Sequence, residues 1–198
     1  MDGSAAQDRS ERRGFLKLAA AGAAVGGTAL FGAESGRAAS GPSAAQDREI
    51  FAFALSLEYL KAAFYDEAIA HNRLRGELRR FANVAGAHER EHVRVLKRAL
   101  GRHARPQPSF RFGAATRDPD TFAARAIALE ELAVAAYNGQ AANLTKSGVA
   151  AALRIVSVEG RHAAWIRAIA GRPPAPRAAD PGEGAAAVGA TLKRIHLR

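Results

Sequence analysis

His88-Glu89-Arg90-Glu91-His92 and, seventy residues later, Glu159-Gly160-Arg161-His162 each set a glutamate three positions ahead of a histidine, inside stretches that otherwise read as packed helix. In the first, Glu89 and His92 belong to the series Ala82, Ala85, Glu89, His92, Leu96, Ala99. In the second, Glu159 and His162 belong to Ala152, Ile155, Glu159, His162, Ile166, Ile169. Two further series carry a single acid each: Phe51, Leu55, Glu58, Ala62, Tyr65, Ile69 and Ala123, Ile127, Glu130, Val134, Tyr137, Ala141. All four step by alternating threes and fours, the stripe that a packed helix turns toward its neighbours. Carboxylates on such a stripe must be paired, because taking an isolated charge out of water is too costly. Four glutamates and two histidines on inward faces suit a pair of divalent metal ions.

The spacing predicts a first helix over 47–69 ending near Asn72, and a second over 76–100 stopped by Gly101. Residues 102–117 hold Pro106, Pro108 and no helical stripe, and form a long connection. Asp118-Pro119-Asp120 then opens a third helix with an N-cap aspartate, a first-turn proline and a second acid near the positive end of the dipole. This helix runs to about Leu144. Ser147-Gly148 opens the fourth, which ends at Gly171 before Pro173-Pro174. The expected fold is all-α: a four-helix bundle of two antiparallel hairpins joined by a long crossover. Residues 46–171 make the bundle; the Pro/Gly/Ala-rich tail 172–198 wraps its surface, with a short helix near 185–193.

The hairpins are cryptic repeats. Tyr65 follows Glu58, and Tyr137 follows Glu130, by seven residues; Glu58 to Glu89 is 31 residues and Glu130 to Glu159 is 29. Matching chemistry at matching offsets implies a pseudo-twofold site. Residues three apart on a helix share a face, so Glu89 with His92 suits one ion and Glu159 with His162 another. Glu58 and Glu130 complete the set, with at least one carboxylate spanning both ions. Four negative charges then meet four positive ones. Without metal the carboxylates repel, and the pKa of some should rise. Oxygen and imidazole donors suit iron first and manganese next, zinc less decisively, and disfavour copper.

This ligand pattern resembles the ferritin-like superfamily, in which one Glu from each of two helices joins Glu-x-x-His from each of the other two. More narrowly, the chain resembles exported ferritin-like proteins of the desiccation-related type. The resemblance implies metal ligands at Glu58, Glu89, His92, Glu130, Glu159 and His162, and a non-haem di-metal centre acting on oxygen, peroxide or ferrous iron. No cysteine-rich electron-transfer module accompanies it, so a reductant must come from elsewhere. No clear fifth helix of the storage-cage kind is expected, so an oligomer need not be a mineral-storing shell.

Other positions carry less. Glu131 rivals Glu130 but breaks the offset to Tyr137; Glu91 falls off the stripe and reads as solvated. Tyr65 and Tyr137 read first as core, with hydroxyls able to support ligand carboxylates. His71, His103 and His196 have no partner spacing. His88-Glu89-Arg90-Glu91-His92 also fits the zinc-protease pattern, with His88 and His92 on zinc and Glu89 as base. That reading leaves Glu58, Glu130, Glu159 and His162 unexplained, and Val95 stands where the extended motif needs glycine. A metal-binding stress protein without turnover is the main alternative to an oxidoreductase.

The N-terminal forty residues read as an address. Arg12-Arg13-Gly14-Phe15-Leu16-Lys17 resembles a twin-arginine export signal, with Glu11 where serine or threonine is usual. The apolar stretch from Leu18 to Phe31 is shorter than the ~20 residues of a spanning helix. The expectation is an exported protein that meets the export machinery, and the membrane only through this segment. The 198-residue chain has a net charge of +10 and no cysteine. Thiol chemistry and zinc–thiolate sites are excluded. Arginine is spread along every helix without a basic arm or aromatic-interleaved patch, so specific nucleic-acid binding is not expected.

Overall fold

The computed structural model describes residues 41–196, with side chains through Leu192; the export-signal motif at Arg12 and Arg13 lies outside the described residues. Among them there are five α-helices and no strands: α1 Ala44–His71, α2 Gly76–Leu100, α3 Pro119–Gln140, α4 Lys146–Ile169 and α5 Ala185–His196. Three of the four bundle helices, α1, α3 and α4, start at a side-chain cap. Ser43 caps α1 by accepting from the Gln46 amide at 3.2 Å, and Asn72 ends it in the left-handed region at φ 51°. Asp118 caps α3 from the Thr121 amide at 2.9 Å, with Pro119 in the first turn. Thr145 caps α4 from the Gly148 amide at 3.1 Å. The expected third helix is shortened: α3 stops at Gln140, and Ala141–Asn143 tighten into a 3-10 turn before the next cap.

The crossover is pinned rather than loose. It contains 3-10 turns at Gly101–His103 and Gly113–Thr116. The Tyr59 hydroxyl donates to the Arg105 carbonyl at 3.0 Å, Phe112 packs edge-on to Phe64 at 5.4 Å, and buried Thr116 donates to Glu67 at 2.6 Å. Thr116 therefore reaches the C-terminal end of α1, so α3 starts there and runs antiparallel to α1. At the opposite end, the Asp47 carboxylate accepts from the Thr145 amide at 2.9 Å and from its hydroxyl, which ties the starts of α1 and α4 together. A Cβ on Gly148 would lie 2.7 Å from that carboxylate, so a larger residue there would have to push Asp47 aside.

Along every bundle helix an apolar layer, a polar layer and a second apolar layer follow one another. One core cluster holds Phe64, Tyr65, Phe81, Phe122 and Ile166; the other holds Phe51, Leu55, Leu96, Leu144 and Ile155. Burying each large side chain contributes on the order of 1.5–3 kcal/mol. The glutamates and histidines lie between the two clusters on each helix. The tail closes the outside of α3: Glu183 donates its amide to the Ala135 carbonyl at 2.8 Å, and Val188 of α5 is buried against Leu132 and Ala136. The short tail helix expected from sequence is α5, extended to His196. No helix among the described residues is long and apolar enough to cross a membrane.

Candidate metal centre

The polar layer gathers all six expected side chains. Glu58, Glu89, Glu130 and Glu159 are each fully buried, and His92 and His162 nearly so. Two overlapping quartets could each hold an ion: Glu58, Glu89, His92 and Glu159, and Glu89, Glu130, Glu159 and His162. Within each quartet the ligand atoms lie within 4.8 Å of one another. Glu89 and Glu159 belong to both. Contacts cross between hairpins: His92 Nδ1 lies 2.9 Å from Glu159 Oε1, and His162 Nδ1 lies 3.2 Å from Glu89 Oε1.

The tyrosines cross in the same sense. The Tyr137 hydroxyl donates to Glu58 Oε1 at 2.8 Å, and the Tyr65 hydroxyl donates to Glu130 Oε1. Each first-helix glutamate is thus oriented from the other hairpin. Burial and the adjacent carboxylates keep both phenols well above their usual range, so both remain donors. Glu130 and Glu131 separate cleanly: Glu131 faces outward and pairs with Arg167 on α4. Glu91 is likewise on the surface, paired with Arg94 and Arg98.

One resident of the layer did not appear among the sequence candidates. Lys61 is buried, and its Nζ lies 3.2 Å from Glu58, 3.0 Å from Glu89, 3.4 Å from Glu130, and in contact with Glu159. A signal was present: Lys61 follows Glu58 by three and precedes Tyr65 by four, which sets it on the edge of the same stripe. A second omission is the partner of His162. His88 stacks on its ring at 5.2 Å, with Nδ1 2.9 Å from His162 Nε2. This leaves His162 Nδ1 facing the carboxylates and fixes the ring, as ligand histidines require. His88 belongs to neither quartet, and the partner its Nδ1 meets is His162 of the other hairpin.

The electrostatics divide the carboxylates. Burial and neighbouring carboxylates hold Glu159 well above its usual value, despite the ammonium beside it. Burial also raises Glu58. Burial pushes Glu89 upward too, but Lys61, His162 and His92 outweigh it and hold it well below. Glu130 is lowered, burial being overcome chiefly by Lys61. The rise expected for some carboxylates is therefore found at Glu58 and Glu159. Burial opposes charge on His92, yet Glu159, Glu58 and Glu89 push it up to about 12; Glu130 and Glu89 push His162 up to about 10.

The donor set fits divalent ions on one further observation. Glu58 Oε2, Glu89 Oε1, Glu159 Oε1 and His162 Nδ1 are buried without a directed hydrogen bond and meet only charged neighbours inside the cluster: Lys61, His162, His92 and Glu89. Four buried carboxylates and two imidazoles that face one another in this way are a donor set that divalent ions fit.

A helical bundle with a carboxylate–histidine chamber at mid-height is the class of protein that fold and site define. The family model for a ferritin-like domain matches residues 46–172, and the chain belongs to that family. No curated protein matches the chain.

Proposed function

We propose that the chain binds divalent metal in this chamber and uses it to oxidise ferrous iron or to reduce oxygen or peroxide, outside the cytoplasm. The observation that carries the proposal is the pair of quartets sharing Glu89 and Glu159. Glu58, Glu89, His92 and Glu159 would hold one ion; Glu89, Glu130, Glu159 and His162 would hold the other. Iron, with manganese next, supplies the electron-transfer steps that no side chain here provides. The chain's own contribution is positional. The two tyrosines fix the terminal carboxylates, the shared glutamates bring the quartets together, and the apolar layers on either side exclude water. Ferrous iron or a small oxidant is the substrate class, and any further reductant is external.

Anaerobic loading of purified protein with ferrous iron, followed by air or peroxide, tests this. Oxidation faster than the buffer control is expected. Metal bound without such acceleration would establish the second reading, a non-catalytic metal-binding stress protein of the desiccation-related type. That reading draws on Lys61, which already offsets part of the buried negative charge. Export is tested separately. Residues 1–46 fused to a reporter should carry it out of the cytoplasm, and Arg12→Lys with Arg13→Lys should block that transport.

A further inference from the structure

We propose that Lys61 is a displaceable internal cation that holds the place of one divalent ion, so that metal loads in two unequal steps. The inference rests on the metal-binding reading and adds to it a control over occupancy.

Three observations carry it. First, the ammonium is central: its distances to Glu58, Glu89 and Glu130 are 3.2, 3.0 and 3.4 Å, and it touches Glu159. In every one of these contacts the carboxylate atom is Oε2, so one oxygen of each glutamate is turned toward the nitrogen. An ammonium donates and cannot ligate, so while it sits among these four oxygens its positive charge occupies the space between them that an ion would take. Second, it contacts both carboxylates common to the two quartets, Glu89 and Glu159, which places the charge where two ions would meet. Third, the pseudo-twofold repeat does not call for it. Lys61 stands three residues after Glu58, and the corresponding residue three after Glu130 is Ala133, buried with no polar atom on its side chain. The ligands are duplicated in both hairpins; the cation is present in one.

Charge arithmetic gives the order of events. Four ionised carboxylates balance two divalent ions. With Lys61 inside, a second ion would leave net positive charge in a chamber sealed by two apolar layers. One ion can share the chamber with the ammonium. The second needs the space that Lys61 holds, and gains it only when the lysine side chain leaves. Its four-carbon stem is flexible enough for that movement.

The test is anaerobic titration of the full chain with Mn2+, read by metal analysis after desalting and by electron paramagnetic resonance. The expected wild-type result is one retained ion per chain with an isolated-ion spectrum, the second binding about tenfold or more weakly. Lys61→Met, similar in length and uncharged, should retain two ions and show a spin-coupled spectrum. Two wild-type ions of equal affinity, unchanged in the variant, would overturn the role of Lys61 while leaving the metal-binding reading intact. Binding by the variant alone would support the lysine as competitor. Failure of both proteins to bind would remove the metal-binding reading itself. If Lys61→Met does not fold, the wild-type isotherm decides alone: two unequal steps support the inference and two equal ones overturn it.

Discussion

The two hairpins present the same ligands and different neighbours. In α1 and α2, Glu58, Tyr65, Glu89 and His92 come with Lys61 and His88; in α3 and α4, Glu130, Tyr137, Glu159 and His162 come with Ala133 and Val158 in the corresponding places. The shared set forms a symmetrical cage of crossed contacts. The unshared pair breaks that symmetry, one residue inside the cage and the other on its rim. A site duplicated for its ligands but not for its charges holds two places that are chemically unequal before any ion arrives.

The largest effect should come from removing the internal cation. In chelator, Lys61→Met is expected to lose about 3–5 kcal/mol, because it leaves buried carboxylates without a counter-charge. Chemical denaturation measures this. Transferring the lysine across the pseudo-twofold, with Lys61→Ala and Ala133→Lys together, should recover part of the loss; no recovery would mean that the halves are not equivalent by this measure.

Next come the ligands themselves. Glu130→Ala removes partners of both Lys61 and Tyr65, and should cost about 3 kcal/mol in the metal-free protein. Glu130→Ala and His162→Ala should each also lower metal stoichiometry. If neither does so, the ligand assignment fails.

The rim is a subtler comparison. His88→Ala removes the group that orients His162 and should weaken metal binding by about tenfold. Val158→Ala, its counterpart, should leave the affinity unchanged in the same titration. Tyr65→Phe and Tyr137→Phe should be matched losses of about 1.5–3 kcal/mol, each forfeiting one hydrogen bond to a buried carboxylate. Unequal losses would show that the crossed contacts differ in strength. The smallest effect belongs to Glu131→Ala, whose partly exposed pair with Arg167 should change stability by about 0.5 kcal/mol or less.

Much of this was legible in the chain. The alternating three-and-four spacing placed four helices, and the seven-residue offset to tyrosine separated Glu130 from Glu131. Capping residues located the start of α3 to within a residue of its observed position. Its end was misplaced, because the apolar pattern continues through residues 141–144 while the backbone tightens into a 3-10 turn. Lys61 was missed for a different reason. Periodicity reports which way a residue faces, not how far a long side chain reaches, and a lysine beside a stripe ordinarily extends to solvent. His88 was weighed as a zinc ligand because its spacing to His92 is local. Its actual partner lies seventy-four residues away, and no helical period encodes that contact. The crossing of the tyrosines is equally non-local: it follows from α3 running against α1, which the crossover decides.

The exposed ring of His88 over buried His162 bears on timing. The two core clusters flank the chamber above and below, and the stacked imidazoles lie at its side. An ion or oxidant that entered from that side would have to disturb the stack in both directions. Residence inside would then be governed by how often this doorway opens, and two variants with equal equilibrium affinity could still differ widely in how fast they fill and empty.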